Sequence, residues 1–183
     1  MIKDLCAVLF LSCFSFIQGF DFEYRNQDEF VLGIAECTAE INAYLPPQTR
    51  VVVVISVAQA ALESDWGRSR FATEANNFYG IIQTDRTEPH IKSLKSEVLL
   101  KRYGRRCEST SDYVRILSNG SHFEEYRELR LKQALVNEVN INDLINTLAP
   151  FAADPFYTYK VKDTVNYLFE HYPDLFSRRE YRS

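Results

Sequence analysis

Glu63 is the acid in this chain whose neighbours are best able to change its chemistry. It follows Gln59-Ala60-Ala61-Leu62, a run of small and apolar residues behind one amide, and the sole tryptophan, Trp66, comes three positions later. A carboxyl at the C-terminal end of a buried helix faces the negative end of the helix dipole, and burial beside aromatic rings penalises its charge further. Both effects raise its pKa. A general acid needs that shift in order to hold a proton near neutrality and pass it to a leaving oxygen. The same residues allow an acid turned outward and paired with Arg68 or Arg70. A little further on, Asn76-Asn77-Phe78-Tyr79-Gly80 sets two amides beside two aromatics. Amides hydrogen-bond sugar hydroxyls and acetamido groups, and aromatic faces cover pyranose rings, so the segment suits a glycan. It equally suits a turn with left-handed asparagines and both rings in the core.

Positioning these groups falls to helices. Phe30, Ile34, Cys37, Ile41 and Leu45 recur at the helical period, which predicts a helix over 26–45 that Pro46-Pro47 stops. The run Val51-Val52-Val53-Val54-Ile55 has strand propensity, but Ala58-Gln59-Ala60-Ala61-Leu62-Glu63 is strongly helical, and one buried helix from about Arg50 to Ser64 accommodates both. Between Gly67 and Gly104 the period fades, and the short segments 79–83 and 98–103 predict a small lobe of hairpin and loop. Helical patterning resumes at 111–117, with Ser109 or Ser111 as cap, and over 122–139. Asn142 is a candidate cap for a short helix through Leu148. Asp154-Pro155 opens a last helix carrying Tyr157, Val161, Val165, Leu168 and Tyr172. The class is therefore α+β and predominantly helical.

The composition sets outer bounds. With 183 residues, 46% of them hydrophobic and only six Gly and six Pro, the chain has material for one folded domain and is not of low complexity. A net charge of −4 gives no global drive toward nucleic acid or an anionic membrane. Leu5 to Ile17 is an uncharged stretch behind Lys3, too short to span a bilayer, and residues 1–19 are expected to be a signal peptide ending at Gly19. Cys13 is a weaker candidate for a lipid anchor. The single domain would then be 20–183, exported, with no transmembrane segment in the mature chain. Cys37 and Cys107 would remain as a bridged pair or as buried thiols. His90, His122 and His171 have no metal-ligand spacing, and no phosphate-cradling glycine loop occurs, so neither a metal nor another cofactor is expected.

The stretch from Gln59 to Ala72, followed by Asn76-Asn77-Phe78-Tyr79-Gly80-Ile81, resembles the signature of bacterial N-acetylglucosaminidases of the Bax and flagellar muramidase type, glycoside hydrolase family 73. The likeness continues more weakly through Ser111-Asp112-Tyr113-Val114 to Phe151-Ala152-Ala153-Asp154-Pro155-Phe156-Tyr157, similar to the family's closing pattern. The resemblance implies a lysozyme-like fold, in which a helical lobe and a small β-hairpin lobe flank a groove for a peptidoglycan glycan strand. Glu63 takes the place of the family's catalytic acid, and the bond cut would be the β-1,4 linkage after N-acetylglucosamine. Two positions depart from the pattern: Asp65 stands where the family usually has Gly, and Phe151 where it usually has Tyr. If the family's catalytic tyrosine is the first of the closing motif, its hydroxyl is lost at Phe151; if the second, Tyr157 keeps it.

Glycoside hydrolysis usually employs a second carboxylate, which in this family comes from the small lobe. Asp85, Glu88 and Glu97 are the available acids, and Glu88 is preferred as the residue at the hairpin bend. The substrate's own acetamido group is the alternative. Gln59, Trp66, Asn76, Asn77, Phe78 and Tyr79 are expected to bind substrate. The competing readings are a lytic transglycosylase releasing anhydro-muramyl ends and a glycan-binding module without turnover.

Overall fold

The computed structural model describes residues 21–176 apart from Lys95. The expected leader at 1–19, with Cys6 and Cys13, lies outside the described residues. Asn26 caps the first helix, α1 (Gln27–Ala43), its side chain accepting from the Glu29 N–H at 2.9 Å. Phe30, Ile34, Cys37 and Ile41 face inward as their spacing predicts. The next helix, α2 (Val53–Ser64), begins later than Arg50. The Asn42 side chain clamps Val51, donating to its carbonyl at 2.7 Å and accepting from its N–H at 3.0 Å, and the backbone stays extended through Val52. From Val53 onward, nine of the twelve residues are buried, so α2 is enclosed nearly all round and forms the central element. It packs chiefly against α1 and the last helix.

A short helix, α3 (Arg70–Ala75), leads into the small lobe, where β1 (His90–Lys92) pairs antiparallel with β2 (Leu99–Lys101) in the register His90 to Lys101. The segments 79–83 and 98–103, read from the sequence as parts of a hairpin-and-loop lobe, meet along the other edge of β2. Ile82 bridges Leu100, Gln83 N–H donates to Leu99 at 2.8 Å, and Lys101 N–H donates to Ile81 at 2.9 Å. Because β1 forms inside the connection, the hairpin bend falls at 93–98. Glu88 is not at that bend; it stands before β1, in the turn that Asp85 begins. Ala75, Ile91 and Leu100, with Phe71 beside them, make a small apolar cluster separate from the main core.

Helix α4 (Arg106–Asn119) starts upstream of the expected 111–117, because Glu108 reaches back to accept from the N–H groups of Gly104 and Arg105. Ser109 and Ser111 are therefore buried inside the helix and do not cap it. Helices α5 (Glu124–Val136) and α6 (Ile141–Asn146) follow, the latter capped by Asn140 rather than Asn142. Asp154 accepts from the Phe156 N–H at 2.9 Å and so sets up α7 (Tyr157–His171). Cys37 of α1 and Cys107 of α4 form a disulfide with Cα atoms 5.6 Å apart, which resolves the alternative left by the sequence. Among the described residues no helix is long and apolar enough to cross a membrane.

Candidate active site

At its C-terminal end α2 reverses through three consecutive left-handed residues, Asp65, Trp66 and Gly67, with φ of 52°, 55° and 78°. The Ser64 hydroxyl fixes this reversal by donating to Ala60 and accepting from the Gly67 N–H at 2.8 Å. A side chain at Gly67 would collide with the rings of Phe30 and Tyr24. A left-handed φ also explains why a glycine suits position 65. Here Asp65 occupies it and pairs with Arg68 at 2.8 Å. Arg70 pairs with Glu74. The outward pairing considered for Glu63 therefore does not form.

Glu63 instead lies half-buried beside Gly80 and Tyr157. Gly80, at φ 64°, brings its Cα so close that a Cβ there would lie 3.3 Å from the Glu63 Oε2 atom. Burial raises the Glu63 pKa above the ordinary carboxylate value, and a hydrogen bond with the Tyr157 hydroxyl partly opposes the rise. Tyr157 comes from the first turn of α7, and burial together with the neighbouring carboxyl pushes its own pKa far up, so it stays a neutral phenol. Its ring lies parallel to that of Phe151, with centroids 5.9 Å apart. Of the two tyrosine positions in the closing motif, Tyr157 is thus the one that places a hydroxyl at Glu63, and Phe151 supplies a flat apolar wall behind it.

Several expected substrate contacts turn out to be scaffolding. Phe78 is fully buried among Phe22, Tyr24 and Phe30, and Tyr79 is stacked on Tyr113 at 4.1 Å with its hydroxyl on Ser56. Neither ring offers a face to a sugar. Asn77 is buried and spends its amide on the carbonyls of Ile81 and Lys101, at 2.9 and 3.0 Å, while its own oxygen accepts from the Ile81 N–H. Asn76 holds a left-handed helix cap and donates to Tyr103. The segment 76–80 is therefore the turn that its composition also allowed, and its work is to carry Gly80 to Glu63 and anchor the small lobe. Gln59 is likewise fully buried, between Tyr157 and Tyr113. Trp66 is partly exposed and meets Tyr167 edge-on at 5.3 Å. With Tyr24, Arg25 and Arg68 it borders a surface cavity of about 460 Å³.

Tyr113 was not singled out as a site residue by the sequence. The signal was its place on an inward stripe of α4 with Thr110, Val114 and Leu117, at helical spacing. In the small lobe all three acids are exposed. Asp85 accepts from the backbone and hydroxyl of Thr87, and Glu97 pairs with Lys92 at 2.8 Å. The Glu88 carboxylate has no partner among the described residues, which leaves it available to a ligand.

Comparison with known proteins bears on the family and the fold. The glucosaminidase family model, described as mannosyl-glycoprotein endo-beta-N-acetylglucosaminidase, matches residues 45–169. The chain is similar to the exo-glucosaminidase LytG of Bacillus subtilis, with 27% identity over 128 residues. That match covers 63% of this chain and 43% of the relative, so the chain spans less than half of that protein's length. Its fold is similar to a peptidoglycan hydrolase of Sphingomonas sp. A1 (TM-score 0.62, 20% identity, 83% of this chain and 96% of that one). The glycoside hydrolase domain of Salmonella typhimurium FlgJ (0.59, 21%, 85% and 95%) and the catalytic domain of the Listeria monocytogenes autolysin Auto (0.57, 22%, 84% and 90%) share it as well. The expected lysozyme-like arrangement of a large helical lobe and a small antiparallel sheet is the one found.

Proposed function

The chain belongs to the glucosaminidase family, and on that premise we propose that it is an exported hydrolase cutting the β-1,4 bond after N-acetylglucosamine in the glycan strand of peptidoglycan. The observation that carries this reading is the half-buried Glu63 carboxyl, made more basic by burial and held between Gly80 and the Tyr157 hydroxyl. Glu63 donates its proton to the glycosidic oxygen as the bond to the anomeric carbon breaks, and the departing sugar leaves as an alcohol. Glu88 faces the oxocarbenium-like centre as a carboxylate, stabilising it or orienting the incoming water. Tyr157 holds Glu63 and bounds the position of the acetamido group. The Cys37–Cys107 bridge favours an oxidising compartment, consistent with an envelope location in a bacterium.

A lytic transglycosylase is the second reading. It is favoured by the exposure of Asp85, Glu88 and Glu97, none of them enclosed as Glu63 is, since that reaction needs one acid alone. Digestion of purified peptidoglycan by wild type and Glu63→Gln, followed by mass analysis of the new ends, separates the readings. New reducing N-acetylglucosamine ends that depend on Glu63 support the proposal. Reducing muramic acid ends identify a muramidase, and anhydro-muramic acid ends identify the transglycosylase. Equal glycan binding by both proteins with cleavage by neither identifies a binding module.

A further inference from the structure

Behind the acid runs a buried chain of polar side chains with a definite direction. The Tyr113 hydroxyl is hydrogen-bonded to Oε1 of Gln59, the Gln59 Nε2 donates to the Tyr157 hydroxyl at 2.7 Å, and Tyr157 meets Glu63. Tyr113 is fully buried, and Gln59 is its hydroxyl's sole partner among the described residues. If the Gln59 amide were turned over, its NH2 would donate to Tyr113 and the phenolic proton of Tyr113 would be left buried without an acceptor, a costly arrangement. Tyr113 therefore fixes which end of the amide faces Tyr157. With its oxygen already accepting from Gln59, Tyr157 has one use for its own proton, which is to donate it to the Glu63 carboxyl.

We propose that Gln59 and Tyr113 are positioning residues that set the direction of the Tyr157 hydrogen bond, so that Tyr157 always donates to Glu63 and the acid carries its transferable proton on the other oxygen. This rests on Glu63 being the general acid. A donor on the carboxylate stabilises its charged form, so the device limits how far burial raises the Glu63 pKa and keeps the acid from becoming too weak to release its proton. The surroundings of Glu63 leave few other controls. Tyr157 of α7 is the titratable group acting on the carboxyl, Tyr113 of α4 lies behind Gln59, and Tyr79 is turned toward Ser56 and Thr110. No charged side chain among the described residues contributes to the Glu63 shift.

The test compares wild type, Tyr113→Phe, Gln59→Met and Glu63→Gln as full chains. It measures the pH profile of peptidoglycan cleavage and, separately, the titration of the Glu63 carboxyl by carbon NMR. Without the directed donor the Glu63 pKa climbs. Both the NMR midpoint and the alkaline limb of the profile should move upward by about one pH unit in Tyr113→Phe and Gln59→Met. Tyr113→Phe removes a single oxygen, so it decides the matter even if Gln59→Met does not fold. An unmoved or lowered Glu63 midpoint in Tyr113→Phe overturns the proposal. Full cleavage by Glu63→Gln would instead overturn the assignment of the acid, while the NMR midpoint would still report on the direction of the hydrogen bond.

Discussion

The molecule carries carboxyl groups in two contrasting settings. On the helical side, Glu63 is half-buried against Tyr157 and Gly80, with Gln59 and Tyr113 hydrogen-bonded behind Tyr157 and Phe151 packed parallel to its ring. On the hairpin side, Asp85, Glu88 and Glu97 are exposed; Asp85 and Glu97 are occupied by neighbours, and Glu88 has no side-chain partner among the described residues. The main core reaches to Glu63, whereas the small lobe owns only the cluster of Ala75, Ile91 and Leu100. That lobe is held to the body by polar ties, among them Lys101 and Tyr103 on Asp112, and Asn77 on Lys101. One residue type thus acquires two chemistries: enclosure makes a carboxyl a proton reservoir, and exposure leaves it a fixed negative charge.

Replacing the acids one at a time should show the widest gap. Glu63→Gln is expected to lower peptidoglycan cleavage about 1,000-fold, measured as new reducing ends, and Glu88→Gln about 10- to 100-fold. Asp85→Asn and Glu97→Gln should stay within about twofold, because their charges are spent on Thr87 and Lys92. A loss at either of these larger than that at Glu88 would move the second carboxylate there. The disulfide belongs to the enclosed half and closes a loop with a sequence separation of 70, so Cys37→Ser with Cys107→Ser should cost about 4 kcal/mol in denaturant unfolding.

The enclosed carboxyl should also write itself into stability. Its raised pKa means that the native state binds this proton more tightly than the unfolded chain does. Stability is then lost as pH rises from the ordinary glutamate value through the raised one. Glu63→Gln should abolish that part of the pH dependence, whereas Glu88→Gln should leave it in place. The smallest effect is expected at the reversal after α2. Asp65→Gly relieves a left-handed residue and should stabilise by about 1 kcal/mol in thermal or urea melts, less the small contribution of the exposed Arg68 pair.

Helical spacing located the main helices because burial of one face leaves a period that needs no knowledge of partners. Helix starts were less legible. Asn42 draws Val51 out of α2, and Glu108 extends α4 upstream, and both are side chains acting on backbone groups outside the periodic pattern. The segment 76–80 shows the limit of reasoning from residue type. Amides and aromatics there fit a glycan and a turn equally well, and only packing buried Phe78 and Tyr79.

The order of residues alone determined that Glu63 would end an apolar helix, and hence that its charge would be disfavoured, since both follow from neighbours on the same segment. What surrounds the carboxyl was a tertiary decision. Gly80, Tyr157 and Tyr113 come from distant parts of the chain, and the direction of the hydrogen bond on Glu63 depends on how many partners a buried hydroxyl finds, which exists only once the helices have closed around it.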